Sequence, residues 1–505
     1  MTRRAIIAGG GHNGLICAAY LARAGVGVTV LERRPMVGGA CVTEELWPGY
    51  RVSRGAYVLS LLRPLIAEEL ELAKHGLRLL PRVPSSITPL PDGRALVLGN
   101  ADPREDFAEI EAFSRRDAEA YRRYEAWLES VVDAIEPLMD APSATRPYRA
   151  TRAGLRLLRG PGLRSSWKFL LGSAQALLDE WFESEPLKST LATDGIIGAY
   201  RSPASATTGY VLFHHVMGRA GGRRGVWSYV AGGMGALSES LAAAARAAGA
   251  QIRTHAEVDK LLIRGRRVCG VTLTSGETLE ADFVVSGADP ARTASWFENT
   301  DHGRRLPRND YTSPVVKLNL ALRELPRFHA RGRDLPLTGT IHLGPTDLAG
   351  IDRAFTEARA GRVPETPIVE LTIPSAVDPT LAPAGRHVAS IFAQYVPALW
   401  HTDPRWPAVR DEFRDRVLAT VESVAPGFGA SIEHLEALAP PDLERVFGLT
   451  GGNIFHGAMS PLSLTQRLPR TRIPGLFLCG ASTFPGGGVM GAPGRNAAFW
   501  ILAGR

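Results

Sequence analysis

Arg3-Arg4-Ala5-Ile6-Ile7-Ala8-Gly9-Gly10-Gly11-His12-Asn13-Gly14 is the stretch on which the fold turns. Arg3 to Ala8 reads as a short buried strand, the run through Ala24 as a helix, and Val28-Thr29-Val30-Leu31 as a second strand ending at Glu32. The turn between the first two has the spacing Gly-x-Gly-x-x-Gly. Gly9 permits the tight turn, Gly11 lets the backbone approach a pyrophosphate, and Gly14 lets the helix pack on the strand, while the open N–H groups at the helix start attract phosphate. Glu32, 23 residues after Gly9, stands where an acid accepts a hydrogen bond from an adenosine ribose. The glycine spacing alone would be unspecific. Strand, helix, strand and terminal acid together predict a βαβ dinucleotide site.

The segment after Glu32 narrows the choice of dinucleotide. Arg33-Arg34-Pro35-Met36-Val37-Gly38-Gly39 adds a second glycine pair that a nicotinamide-binding βαβ unit does not need. It resembles the segment that flavoproteins of the amine oxidase and phytoene desaturase superfamily pass under the pyrophosphate of FAD. At the far end of the chain, Gly475-Leu476-Phe477-Leu478-Cys479-Gly480 reads as a strand. Pro485-Gly486-Gly487-Gly488-Val489-Met490-Gly491 follows, and Ala492 to Leu502 is an apolar helix. In that superfamily the matching stretch carries a glycine-rich loop and a helix N-terminus to the isoalloxazine ring, where the positive end of the dipole favours the anionic reduced flavin. The resemblance therefore implies that Gly480, Gly487, Gly488, Val489 and Met490 join Gly9, Gly11, Gly14, Glu32, Arg33, Gly38 and Gly39 in holding FAD.

Composition is that of an ordinary globular enzyme. The chain has 505 residues, 45% of them hydrophobic, enough for two or three domains. No window offers roughly 18 uninterrupted apolar residues, so no membrane span is expected. The first strand begins by Arg3, from which we expect no signal or transit peptide and a cytoplasmic location. Cys17, Cys41, Cys269 and Cys479 form no closely spaced pair, which argues against a zinc site and against a flavin disulfide reductase. The net charge of +7 is unevenly spread. Arg146, Arg149, Arg152, Arg156, Arg159, Arg164 and Lys168 recur at near-helical spacing with leucines between them. Such a stripe is either a solvated face over a core or a surface for peripheral contact with an anionic bilayer. No nucleic-acid motif accompanies it, so no nucleic-acid partner is expected.

Flavin-type elements recur at separated places, so the domains are discontinuous. Residues 1-100, 225-300 and 440-505 are assigned to the FAD-binding domain, and 101-224 and 301-439 to a substrate or cap domain. The fold class is α/β, a Rossmann-like FAD-binding domain with an inserted α+β substrate domain. Phe107 to Ala141 and Leu170 to Tyr200 read as helices of a cap. Gly232 to Gly235 opens a helix running to Ala248, followed by a strand from Gln251 to Val258, whose end is a further candidate for cofactor contact. That turn has Leu237 where a last glycine would fall and no ribose acid after it, so it is assigned to packing rather than to a second, nicotinamide site. Val315 to Leu322, Thr340 to Leu343, Ile368 to Ile373 and His387 to Gln394 predict a mostly antiparallel sheet opposite the flavin. Arg410 to Val424 reads as a helix.

Further runs extend the resemblance over nearly the whole chain: Gly38 to Glu45, Ser53 to Pro64, Glu180 to Lys188, Gly451 to His456 and Pro485 to Asn496 resemble one branch of the phytoene desaturase-related flavoproteins. That resemblance implies bound FAD, an amine oxidase-like two-domain fold and an FAD-dependent oxidoreductase. It departs in one place. Amine oxidases usually carry arginine directly after the second glycine pair, and Ala40 stands there, leaving Arg33, Arg34 or Arg54 to meet the pyrophosphate charge. Hydride removal to flavin N5 needs positioning more than a triad, so candidates for chemistry are few. His456 and His215 (of the pair His214-His215, at most one facing the site) could handle protons near neutrality, and Tyr57 is expected in the cavity wall. The expected substrate is small and apolar, with isoprenoids in mind, and the electron acceptor is oxygen, a quinone or a protein carrier. The rival readings are an amine oxidase and a flavin-stabilised interaction protein with little catalysis.

Overall fold

The computed structural model describes residues 3–140, 146–159, 168, 170–220, 224–298, 300–330, 332–399, 403–460 and 467–504. The opening βαβ unit forms as its sequence requires. Arg4–Ala8 and Gly27–Leu31 pair in parallel, joined by the helix His12–Arg23, nearly all of which is buried. They sit inside a five-stranded parallel sheet ordered Leu476–Leu478, Phe283–Ser286, Arg4–Ala8, Gly27–Leu31, Gln251–Arg253. The two ends of the chain therefore meet side by side, with Phe283–Ser286 between them. The first helix packs on the last, Ala492–Ala503, and on Met234–Ala247, in an apolar layer that includes Leu15, Ile16, Leu241 and Ala498. The thiols of Cys17 and Cys479, distant in sequence, touch in this core; the hydrogen bond to Cys479 and burial hold Cys17 well above the ordinary thiol range.

Against this sheet stands a seven-stranded one, ordered Ile432–Leu438, Val316–Leu322, His387–Gln394, Ile368–Thr372, Thr340–Leu343, Ser86–Pro89, Ala95–Leu98. It is antiparallel except where Thr340–Leu343 runs parallel to Ser86–Pro89. Residues 86–98, read from sequence with the FAD-binding unit, thus belong to the opposite sheet, because their apolar strands find their partner in a segment far along the chain. Side chains alternate across a strand. Val316, Leu318 and Leu320 enter a core closed by Phe413, Val417 and Val421 of the helix Trp406–Glu422. Lys317 and Asn319 face the other way, toward the flavin side. The predicted strand Gln251 to Val258 is in fact two: Gln251–Arg253 ends the parallel sheet, the chain turns with His255 at φ 52°, and Val258–Arg264 begins a separate three-stranded antiparallel sheet.

Helices Pro103–Glu111, Arg115–Met139, Ala174–Trp181, Glu185–Ala192 and Thr208–Val216 form a helical cap packed around Tyr124, Leu128, Leu178 and Phe182, and Arg146–Arg159 packs on Arg115–Met139. Part of the basic stripe, 160–167, lies outside the described residues. Among the described residues no helix is long and apolar enough to cross a membrane, and no group of side chains could hold a metal ion.

Candidate active site

Between the two sheets runs a cavity of about 490 Å3. Its floor is the first turn. Gly9 adopts φ 109°, and a Cβ on Gly14 would lie 2.2 Å from the Gly9 carbonyl oxygen, so the third glycine is required by close packing. Gly11 differs: a Cβ there would meet nothing within 4 Å. Its open side is the cavity, and no side chain caps the helix that starts beside it, leaving first-turn N–H groups free for an anion. Glu32 is fixed from both sides, accepting from the Gly10 N–H at 2.9 Å and from the Arg34 N–H at 2.9 Å. The second glycine pair closes over this turn, the Gly38 N–H donating to the Gly10 carbonyl at 2.8 Å. An open-sided glycine, uncapped amides and a pre-oriented acid fit the pyrophosphate and ribose of FAD.

Of the residues expected to hold the cofactor, Gly9, Gly11, Gly14, Glu32, Arg33, Gly38, Gly39, Val258, Gly480, Gly488 and Val489 line this cavity. Gly487 and Met490 do not; Gly487 backs onto Phe455 and Met490 is buried in the cap core, so both hold the loop from behind. The compensation for Ala40 also narrows. Arg54 is spent on ion pairs to Glu436 at 2.6 Å and Glu44 at 3.1 Å and does not reach the cavity. Arg33 and Arg34 do line it. Gly232–Gly235 offers no second site: the Met234 and Gly235 N–H groups are taken by Ser53 Oγ (3.0 Å) and Thr43 Oγ1 (2.9 Å), and a Cβ on Gly235 would stand 2.5 Å from the Thr43 nitrogen.

The candidates for chemistry gather at the other end. His456, His215 and Tyr57 line the cavity; His214 does not, and lies instead against the Gly487 backbone. His215 is pinned by the Val211 carbonyl at 2.8 Å and stacks on Trp227, and burial lowers it to about 4. Burial likewise lowers His456. His12, in a variable position of the glycine motif, was not singled out by its sequence, yet it faces His456 and the Gly488 backbone and is lowered to about 4 by burial. All three imidazoles are neutral at physiological pH, suited to polarising or hydrogen bonding rather than to carrying charge.

Across the seven-stranded sheet, Lys317, Phe392, Glu370 and His342 lie in one register row on adjacent strands. Lys317 and Phe392 line the flavin cavity. Burial lowers Lys317 to about 7; its ammonium sits 5.0 Å from the Tyr57 ring centroid and donates to Asn319 Oδ1 at 2.7 Å and to Ser390 Oγ. Glu370 and His342 line a second chamber of about 390 Å3 that shares Tyr57, Val58, Ile197 and Trp227 with the first. There Tyr57 donates to Glu370 at 3.4 Å, and Asp194 faces the same space. Burial raises Glu370 to about 8, reinforced by the Asp194 charge, and burial raises Asp194 to about 7. Buried Arg82 supplies a cation nearby, already bonded to the Thr338 carbonyl and Thr340 Oγ1. One signal for this cluster is visible in sequence: Lys317 is the single charged residue of its strand, Val316–Leu322.

With this geometry in view, known sequences settle the lineage. Residues 14–498 match the family described as flavin containing amine oxidoreductase. The chain belongs to that family. It is 44% identical to rat (Rattus norvegicus) pyridine nucleotide-disulfide oxidoreductase domain-containing protein 2, over 99% of this chain and 93% of that one. It is 29% identical to the hydroxyneurosporene desaturase of Cereibacter sphaeroides, over 99% and 97% of the two chains. Among solved structures, an oxidoreductase from Methanosarcina mazei superposes with a TM-score of 0.62 at 17% identity, covering 99% of this chain and 100% of the other. The protein is an FAD-dependent oxidoreductase of the amine oxidase and phytoene desaturase fold.

Proposed function

We propose that the protein removes hydride from a C–H bond of a small apolar, isoprenoid-like substrate. The observation that supports this most is the apolar part of the cavity wall: Leu61, Ile197, Val315, Phe392, Leu449 and Ile454 line the cavity, and apolar walls with few polar groups select apolar ligands. FAD, when bound, supplies the hydride acceptor at N5. The chain's own residues do the rest. Gly9, Gly11, Gly14 and Glu32 anchor the dinucleotide, the aromatic and aliphatic wall excludes water and orients the substrate, and Lys317, titrating near 7, can take or return a proton at its Nζ. Oxygen, a quinone or a protein carrier serves as electron acceptor in this reading, because the amides at Gly232–Gly235 are already engaged.

An amine substrate is the second reading, favoured by the carboxyls of half-buried Asp194 and buried Glu370 just beyond Tyr57. Anaerobic titration of the holoprotein separates them. Bleaching of the flavin absorbance by isoprenoid hydrocarbons or alcohols supports the first. Bleaching by alkylamines alone replaces it with the second, and a flavin that dithionite reduces but no member of either panel bleaches points to an interaction role.

A further inference from the structure

The helix Arg146–Arg159 lies outside both chambers, and flavin chemistry gives it no task. Its sequence, RPYRATRAGLRLLR, carries five arginines and no acid. Tyr148 and Leu155, exposed at 64% and 47%, are two of the four large apolar side chains that stand exposed among the described residues. They are two turns apart and so share a face. Arg152 and Arg156 are exposed on that face, the Arg152 guanidinium 5.8 Å from the Tyr148 ring centroid. Ala153, 4% exposed, is buried on the opposite side, where the helix packs on Arg115–Met139.

An exposed tyrosine and leucine flanked by guanidiniums have a specific complement. Water rejects the apolar pair, and a nucleic acid would engage the arginines but leave that pair wet. The interface of an anionic bilayer satisfies both, taking apolar side chains at the headgroup boundary and cations at the phosphates. Position adds to this. Arg156 Nη1 donates to the Asp133 carbonyl at 3.4 Å, which places the helix beside Glu129 and Val132 of the long helix. Those two residues line the second chamber, whose rim includes exposed Arg122, Glu125 and Glu129.

We propose that the exposed face of Arg146–Arg159, carrying Tyr148, Arg152, Leu155 and Arg156, seats the protein on an anionic lipid bilayer and brings the rim of the second chamber to the membrane surface. This stands whatever substrate the flavin cavity takes. Attachment is peripheral and salt-sensitive, since the charge contribution decays within a Debye length.

The test is co-sedimentation of the holoprotein with phosphatidylcholine vesicles with and without phosphatidylserine, scored together with flavin absorbance per protein. The expected result is pelleting with the phosphatidylserine vesicles only, reversed by high salt. Arg152→Glu/Arg156→Glu should weaken it at least about tenfold at unchanged flavin content, from about 1 kcal/mol per basic residue. Tyr148→Ser/Leu155→Ser, which leaves the charge alone, should also weaken it. Should the charge reversal lose its flavin, Arg152→Gln/Arg156→Gln replaces it and is read in the same way. Absence of pelleting by the unaltered protein overturns the proposal, as does binding indifferent to both double substitutions. Loss with the arginine variant alone, together with displacement by duplex DNA, would assign the face to nucleic acid and equally overturn it.

Discussion

Glu370 offers the sharpest prediction about energetics. Its carboxyl sits on the central strand Ile368–Thr372, has one long hydrogen bond from Tyr57 and shares the second chamber with Asp194. Burial raises it from 4.5 to about 8. A folded pKa above the unfolded one means that the native state holds the proton longer, so stability falls as pH rises from 4.5 to about 8 and is constant outside that window. At pH 7 the unfolded chain has gained 7 − 4.5 = 2.5 pH units of ionisation, a cost of about 3 kcal/mol at about 1.36 kcal/mol per unit. Glu370→Gln removes the ionisable group but keeps its shape. With an unfolding entropy of about 2.1 cal/mol/K per residue over 505 residues, the variant should melt about 3 °C higher at pH 7. The assay is thermal unfolding of both proteins across pH 4.5 to 8.5, as the difference in Tm. The difference should vanish at the acid end and grow with pH. A difference independent of pH would mean an unshifted carboxyl, and a wild-type protein that gains on the variant as pH rises would mean a Glu370 ionised against a cation; either outcome excludes the raised value.

Lys317 should behave in the opposite sense. Its folded pKa lies near 7 against 10.5, so the penalty is full below pH 7 and disappears toward 10.5, and Lys317→Met should stabilise the protein most in acid; equal stabilisation at pH 6 and pH 10.5 would mean that the lysine is charged and paired. Thiol chemistry should be dispensable: Cys17→Ala and Cys479→Ala, at a cost of about 1 kcal/mol for the small void, should leave the flavin reducible by dithionite, and a variant with bound but unreducible flavin would expose a redox role for the touching thiols. Photoreduced holoprotein mixed anaerobically with NAD or NADP should stay reduced, because the Gly232 turn has no free amides; rapid reoxidation with matching formation of NADH or NADPH would place a nicotinamide site somewhere.

The FAD-binding half of the fold is legible because its signals are local. Gly9, Gly11, Gly14 and Glu32 act within one βαβ unit, so their spacing together with the strand, helix and strand around them carries their roles. The C-terminal loop is legible for the same reason, although Gly487 and Met490, equal to their neighbours in sequence, turn to the core rather than the cavity. What sequence hides is long-range register. Ser86–Pro89 pairs with Thr340–Leu343, and nothing in residues 86–98 says so. The row Lys317, Phe392, Glu370, His342 likewise draws on four strands. Glu370 sits in an unremarkable alternating strand and Asp194 in a short helical turn, so their shared chamber becomes visible only when the sheet and the cap meet. His12 escapes notice because the motif leaves its position free.

Gly11 reports most directly on whether FAD lies along the first turn. Its φ of −66° suits any residue and its Cβ would meet no atom within 4 Å, so Gly11→Val should fold normally while filling the space reserved for the pyrophosphate. Gly14→Ala, with its Cβ 2.2 Å from the Gly9 oxygen, is the contrasting control and should lose stability by about 1–3 kcal/mol. The measurement is flavin released per mole of purified protein on denaturation, alongside the circular dichroism spectrum. Near-stoichiometric FAD is expected for the wild type and little or none for a folded Gly11→Val. A folded Gly11→Val that retains its full complement of FAD would contradict this expectation.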